Sequence, residues 1–335
     1  MKLLAVLATL VTALALAGCG GDDSKNTSLT VYSGREEELV QPLIDMFEEK
    51  TGITVDVRYG ESAELAATIA EEGGNSPADV FFSQDPGSLG AVADELAELP
   101  QETLDRVAER FRDSGGKWVG TSGRTRVLAY NTEALTEDDV PDSVFDLTDP
   151  AWKGKVGIAP TNGSFQAFVT AMRLSVGEEK TKQWLVDLKK NEPKTYEKNT
   201  PIVEALATGE IDLGLVNHYY LYLIKEEQPD APIANHFLAK GDPGALVSVA
   251  GAGALASAAN KEGAQQFLDY LLSDEGQRFY TESAEEAEYP LVDGIPAKEG
   301  LPPLETLEGP NVDLSTFGRE LSSTLELLRE TGYLS

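Results

Sequence analysis

One cysteine in 335 residues, Cys19, leaves no partner for an internal disulfide. Histidine is almost as scarce: there are two, His218 and His236, and no paired His-Glu metal motif. A Gly-x-Ser-x-Gly elbow that would present a nucleophilic serine is missing as well. Acid pairs are too abundant in so acidic a chain to mark a catalytic one. An exported hydrolase is therefore unsupported, and no enzyme activity is expected. Positive charge is also short, with 27 Lys and Arg against 57 Asp and Glu and a net charge of −30. That balance excludes a general electrostatic grip on nucleic acid or anionic lipid. It does not by itself mark a cation site. Runs such as Glu36-Glu37-Glu38 and Glu137-Asp138-Asp139 suit solvated helix faces or loops, and only a local cluster makes a site. After the first 17 residues no segment is long and apolar enough to span a bilayer.

What the sequence does have begins with a leader. Lys2 precedes an apolar run over residues 3–17, too short to cross a membrane comfortably and ending in small residues, as a cleaved signal does. Leu16-Ala17-Gly18-Cys19 resembles the lipobox of bacterial lipoproteins, in which the cysteine becomes the lipidated first residue of the mature chain. Residues 20–28 are small and polar, with nothing to bury, and read as a flexible tether. The expectation is an exported protein, lipid-anchored to the outer face of the cytoplasmic membrane or in the periplasm.

About 310 residues follow, enough for two lobes with separate cores. Strands and helices alternate. Residues 29–32 form a strand, and Leu39, Leu43, Ile44 and Phe47 recur at helical spacing before Gly52. Ile53, Val55, Val57 and Tyr59 alternate as in a strand, residues 62–72 read as a helix, and residues 78–82 as a buried strand. This opening predicts a parallel sheet covered by helices. A second set follows: a strand over 155–159, helices over 165–176 and 179–190, and a helix capped by Thr200 with Pro201 at its first position. Gly209 ends that helix before a strand over 211–216. The apolar, Gly-rich residues 245–258 read as a buried strand re-entering the first lobe. Helices are predicted over 261–272, 273–282 and 315–329.

At the end of the 211–216 strand stands Asn217-His218-Tyr219-Tyr220-Leu221-Tyr222. Two adjacent tyrosines there suit either an aromatic core cluster or an oxygen site. Ionised phenolate is a hard anionic donor, and displacing a proton with a free pKa of about 10 takes a small, highly charged cation such as ferric iron.

The chain resembles the periplasmic ferric-iron-binding proteins, the substrate-binding components of bacterial iron ABC transporters. The resemblance is carried in order by residues 31–39, Ser76-Pro77-Ala78-Asp79-Val80-Phe81-Phe82-Ser83-Gln84-Asp85, Ser122-Gly123-Arg124-Thr125-Arg126-Val127 and Trp152-Lys153-Gly154-Lys155-Val156-Gly157. Pro160-Thr161-Asn162-Gly163-Ser164-Phe165, Lys198-Asn199-Thr200, residues 217–222, residues 242–247 and Glu288-Tyr289-Pro290-Leu291 complete it. It implies an α/β, two-lobed periplasmic-binding-protein clamp of type II with crossings near residues 124–130 and 246–251. Residues 29–125 and 248–305 would form the first lobe, and 126–247 and 306–335 the second. A monomer that captures its ion and passes it to an ABC permease is implied.

The resemblance also implies the site. Tyr219 and Tyr220 match the paired phenolate ligands, leaving no ligand slot for His218, and His236 reads as structural. Asn162, Gly163, Asn199 and Asn217 match positions that hold a synergistic anion, phosphate or carbonate, with Arg124 as its cationic partner. Asn162-Gly163 would also suit a turn, and Asn199 a helix cap. The first lobe departs from the best-known pattern, since Glu36 and Gln84 stand where some members carry histidine and glutamate. Glu36, Gln84 and Asp85 are the first-lobe candidates; the amide is the poorest donor for ferric iron, and either carboxylate suits it better. The rival expectation keeps the fold and places a phosphonate, polyamine or thiamine in the cleft.

Overall fold

The computed structural model describes residues 28–283 and 287–335, so the expectations for the leader and Cys19 lie outside the described residues. The opening strand β1 (Ser28–Ser33) buries Leu29 and Val31 and pairs in parallel with β2 (Thr54–Tyr59) and β3 (Val80–Ser83). Between β1 and β2 the helix Glu37–Thr51 lays Leu39, Leu43, Ile44 and Phe47 on the sheet. It stops at Gly52, whose φ of 73° lets its amide reach back to the Glu48 carbonyl.

Strand β4 (Val119–Asn131) is 13 residues long and buried throughout. Its first half pairs antiparallel with β9 (Val247–Ala254), which also pairs with β3. Its second half, from Arg126, pairs antiparallel with β7 (Leu213–Asn217) and with β8 (Ile233–His236). Strands β5 (Val156–Ile158) and β6 (Lys194–Thr195) extend the sheet beyond β7 in parallel. The molecule is thus a two-lobed α/β clamp, and β4 changes partners between Thr125, which pairs with β9, and Arg126, which pairs with β7. The last helix, Phe317–Glu330, packs on both the Pro86–Ala91 and Gly163–Val176 helices. Gly318 crosses Gly90 with backbone against backbone, so a β-carbon on Gly318 would lie 2.2 Å from the Gly90 carbonyl carbon.

Several elements escape the sequence reading, among them β4, the Pro86–Ala91 helix and β6. The helix Tyr220–Glu227 begins within the tyrosine pair, and β8 follows it. The Thr200 cap also needs correcting. The helix is Thr200–Ala207 with Asn199 in the cap position, and neither side chain caps it. Both are drawn instead into the cleft. No helix among the described residues is long and apolar enough to cross a membrane.

Candidate metal centre

The tyrosine pair is shaped by the way β7 ends. The His218 amide still bonds to the Thr125 carbonyl, and the chain then turns helical at Tyr219, with φ −73° and ψ −22°. Successive strand residues point to opposite faces, but successive residues entering a helix need not. Both rings therefore lie side by side, with centroids 4.4 Å apart and planes 32° apart. Both are fully buried.

Two first-lobe loops face them. After β1, Glu36 accepts the Tyr220 O–H at Oε1 (3.0 Å) and the Thr200 hydroxyl at Oε2 (2.8 Å). After β3, the Gln84 amide donates to the Tyr219 oxygen at 2.8 Å and to Ser164 Oγ at 3.3 Å. From the second lobe, the Asn217 amide donates to Ser164 Oγ (3.0 Å) and the Tyr219 oxygen (3.4 Å), and Asn199 reaches the Tyr220 oxygen at 3.4 Å. Each phenol oxygen is thus held from both lobes, and the clamp is closed. The acidic run divides: Glu36 is buried in the cleft, while Glu37 and Glu38 are solvated.

Burial pushes both phenols above their ordinary pKa of 10. For Tyr219 the nearby Arg124 and Arg35 oppose the rise. For Tyr220 the Glu36 charge adds to it, and the rise is large. At neutral pH these are protonated phenols, and only a strong electrophile displaces such protons. Burial pulls His218 down to about 4, so its ring is neutral. Its Nδ1 accepts the Thr125 amide at 3.3 Å and its Nε2 lies 2.8 Å from the Ala287 carbonyl, so neither nitrogen is open to a metal.

Asp85 makes no hydrogen bond to either phenol among the described residues. It caps the Pro86–Ala91 helix through the Ser88 amide and hydroxyl, both at 2.8 Å, and burial raises its pKa against those bonds. The closed cleft also brings it against Gly163, where a β-carbon would lie 2.5 Å from its Oδ2. Asn162 caps the Gly163–Val176 helix by accepting the Ser164 amide at 3.0 Å. Arg124 is committed elsewhere: its Nε and Nη2 both meet Glu288 Oε1 at 3.0 Å, and Nη1 donates to the Gln84 carbonyl. Arg35 grips the same carboxylate, and Ser122 donates to it. Burial works to raise the Glu288 pKa, but Arg124 and Arg35 hold it below the usual carboxylate range. His236 pairs with Asp142 on the far end of β8.

The sequence reading missed Ser164, Thr200, Arg35, Arg126 and Glu288. All five fall inside the matching stretches, but nothing local marks a carboxylate whose partner Arg35 is 253 residues away.

The closed, oxygen-lined cleft between two crossed lobes defines a solute-binding clamp. The chain belongs to the bacterial extracellular solute-binding protein family, whose pattern it matches over residues 75–312. It is 37% identical over 310 residues to the major ferric iron-binding protein of Neisseria meningitidis, covering 91% of this chain and 92% of that one. It is 33% identical to the Fe(3+)-binding periplasmic protein of Serratia marcescens, over 98% and 97% of the two chains. The structure of iron-bound HitA from Pseudomonas aeruginosa superposes with a TM-score of 0.85 at 38% identity, covering 91% of this chain and 99% of that one.

Proposed function

We propose that this chain is an extracytoplasmic receptor that closes its two lobes on ferric iron and hands the ion to an ABC permease. Iron is its cargo, and Tyr219, Tyr220 and Glu36 are its protein ligands. The observation that carries this reading is the 3.0 Å contact of Tyr220 with Glu36 across the cleft. The proton shared there lies between two hard oxygens of opposite lobes, where a trivalent cation would join them. Ion capture and closure are then one event, because the ligand set is complete only when the lobes meet. Gln84 steadies the Tyr219 oxygen, and Asp85 serves the fold of its own helix.

A synergistic phosphate or carbonate would complete the shell from the Asn199 and Asn217 amides and the Asn162-Gly163 helix start. Arg124, bound to Glu288, would support it from behind. The lobes would divide at residues 125/126, 247/248 and 305/306, and lipid on Cys19 would tether a monomer to the membrane. Competition titration against a ferric chelator, beside a phosphonate, a polyamine and thiamine, tests the reading. Tight ferric binding with no response to the organic solutes supports it. Tight binding of an organic solute without ferric binding contradicts it.

A further inference from the structure

Three arginines are buried around the cleft, and they are not equivalent. Arg35 and Arg124 share the Glu288 carboxylate. Arg126, equally buried, meets no carboxylate among the described residues. Its Nη2 donates to the Leu215 carbonyl, its Nη1 lies 3.4 Å from Asn217 Oδ1, and its Nε has no partner. The Phe165 and Phe168 rings lie 5.8 and 5.7 Å from the guanidinium carbon and offset part of the desolvation. A buried cation without a counter-charge is costly, and packing alone would be served as well by an apolar side chain.

The position of Arg126 gives it a task. It pairs with Asn217 in the β4–β7 register, two residues before Tyr219. Guanidinium only donates, so it holds the oxygen end of the Asn217 amide. The amide nitrogen is thereby turned toward Ser164 Oγ and the Tyr219 oxygen. A metal-bound phenolate only accepts, so this orientation suits it, whereas the flipped amide would set oxygen against oxygen. Burial draws the Arg126 pKa down to about 10, while Tyr220 and Tyr219 act in the opposite direction.

We propose that Arg126 is a positioning residue of the iron site, which orients Asn217 toward Tyr219 and supplies a fixed positive charge behind the loaded tyrosine pair. This rests on the ferric reading above. The empty protein carries the cost of the unpaired cation, and the anionic oxygens of the loaded site relieve it.

The test measures ferric affinity by chelator competition, the visible absorption of the ferric form, and the melting temperature of the iron-free protein, for the full chain and two variants. Arg126→Met keeps much of the volume and removes the charge. It should lower ferric affinity at least about tenfold and shift the visible band, while the iron-free protein melts no lower than the parent. Parental affinity in Arg126→Met overturns the proposal, as does an affinity loss matched by an equal loss of iron-free stability. If Arg126→Met does not fold, Arg126→Lys decides. A folded lysine variant losing about threefold or more supports the orienting role, and parental affinity there refutes it. A parent chain that fails to bind ferric iron at all would refute the ferric reading itself, which the parental titration shows before any variant is compared.

Discussion

At the scale of single residues, the phenol oxygens and the imidazole beside them should separate cleanly. Tyr219→Phe or Tyr220→Phe removes one oxygen and keeps the ring, and ferric affinity should fall by at least about 2 kcal/mol. His218→Gln should leave that affinity nearly unchanged and instead lower stability by about 1–2 kcal/mol, since it breaks buried bonds to Thr125 and Ala287. Chelator competition and thermal melting distinguish the two effects. An iron loss confined to the histidine variant would reverse the ligand assignment. Across the cleft, Glu36→Gln should cost tenfold or more, about 1.4 kcal/mol, and Gln84→Ala less than that, because only the carboxylate brings charge. A larger loss at Gln84 would make the amide the first-lobe contact that matters. The tyrosine pair stood out as a candidate from its place after a strand and from the family resemblance, and the structure buries both rings side by side. The different surroundings of Glu36 and Asp85 were not legible, because they depend on Asp85 being drawn into a helix cap by Ser88.

Among the elements, two helix starts meet across the cleft, at Asp85 and at Gly163. The Gly163 Cα faces Asp85, which Ser88 holds in place, so a methyl group has nowhere to go. Gly163→Ala should favour the open clamp, seen as a larger radius of gyration with ferric salt present and a several-fold weaker affinity. Unchanged closure would show that Asp85 yields easily. The neighbouring helix Ser62–Glu72 is preceded by Glu61, whose carboxyl is raised to about 7, first by burial and then by Glu36, with Lys198 opposing. The folded protein keeps that proton up to about pH 7, while the unfolded chain releases it near 4.5. Glu61 therefore favours the fold most below pH 4.5, and this contribution is lost as pH rises through 7. Glu61→Gln should match the parent at pH 4 and exceed it by roughly 1–2 kcal/mol at pH 8 in denaturant unfolding. Equal stability at both pH values would mean Glu61 is well solvated. Most elements were readable because their apolar periods are clean, as in Glu37–Thr51 and Ser62–Glu72. The helix Tyr220–Glu227 was not, because the cleft, rather than a packed face, uses its first side chain.

For the whole molecule, the clamp follows from one long strand changing partners, and the re-entry of β9 was visible as a Gly-rich apolar run. The last helix packs on both the Pro86–Ala91 and Gly163–Val176 helices, which periodicity alone did not disclose because a stripe of apolar residues does not name what covers it. Closure brings two phenols from one lobe onto a carboxylate and an amide from the other. The most direct measurement of that chemistry is the visible spectrum of the iron-free protein titrated with ferric citrate. Phenolate coordination should give an orange to red-purple charge-transfer band that saturates at one ion per chain, fades with chelator and is lost in the Tyr219→Phe, Tyr220→Phe double variant. A protein that stays colourless in ferric citrate, or keeps the full band without both tyrosines, would contradict a ferric site built on Tyr219 and Tyr220.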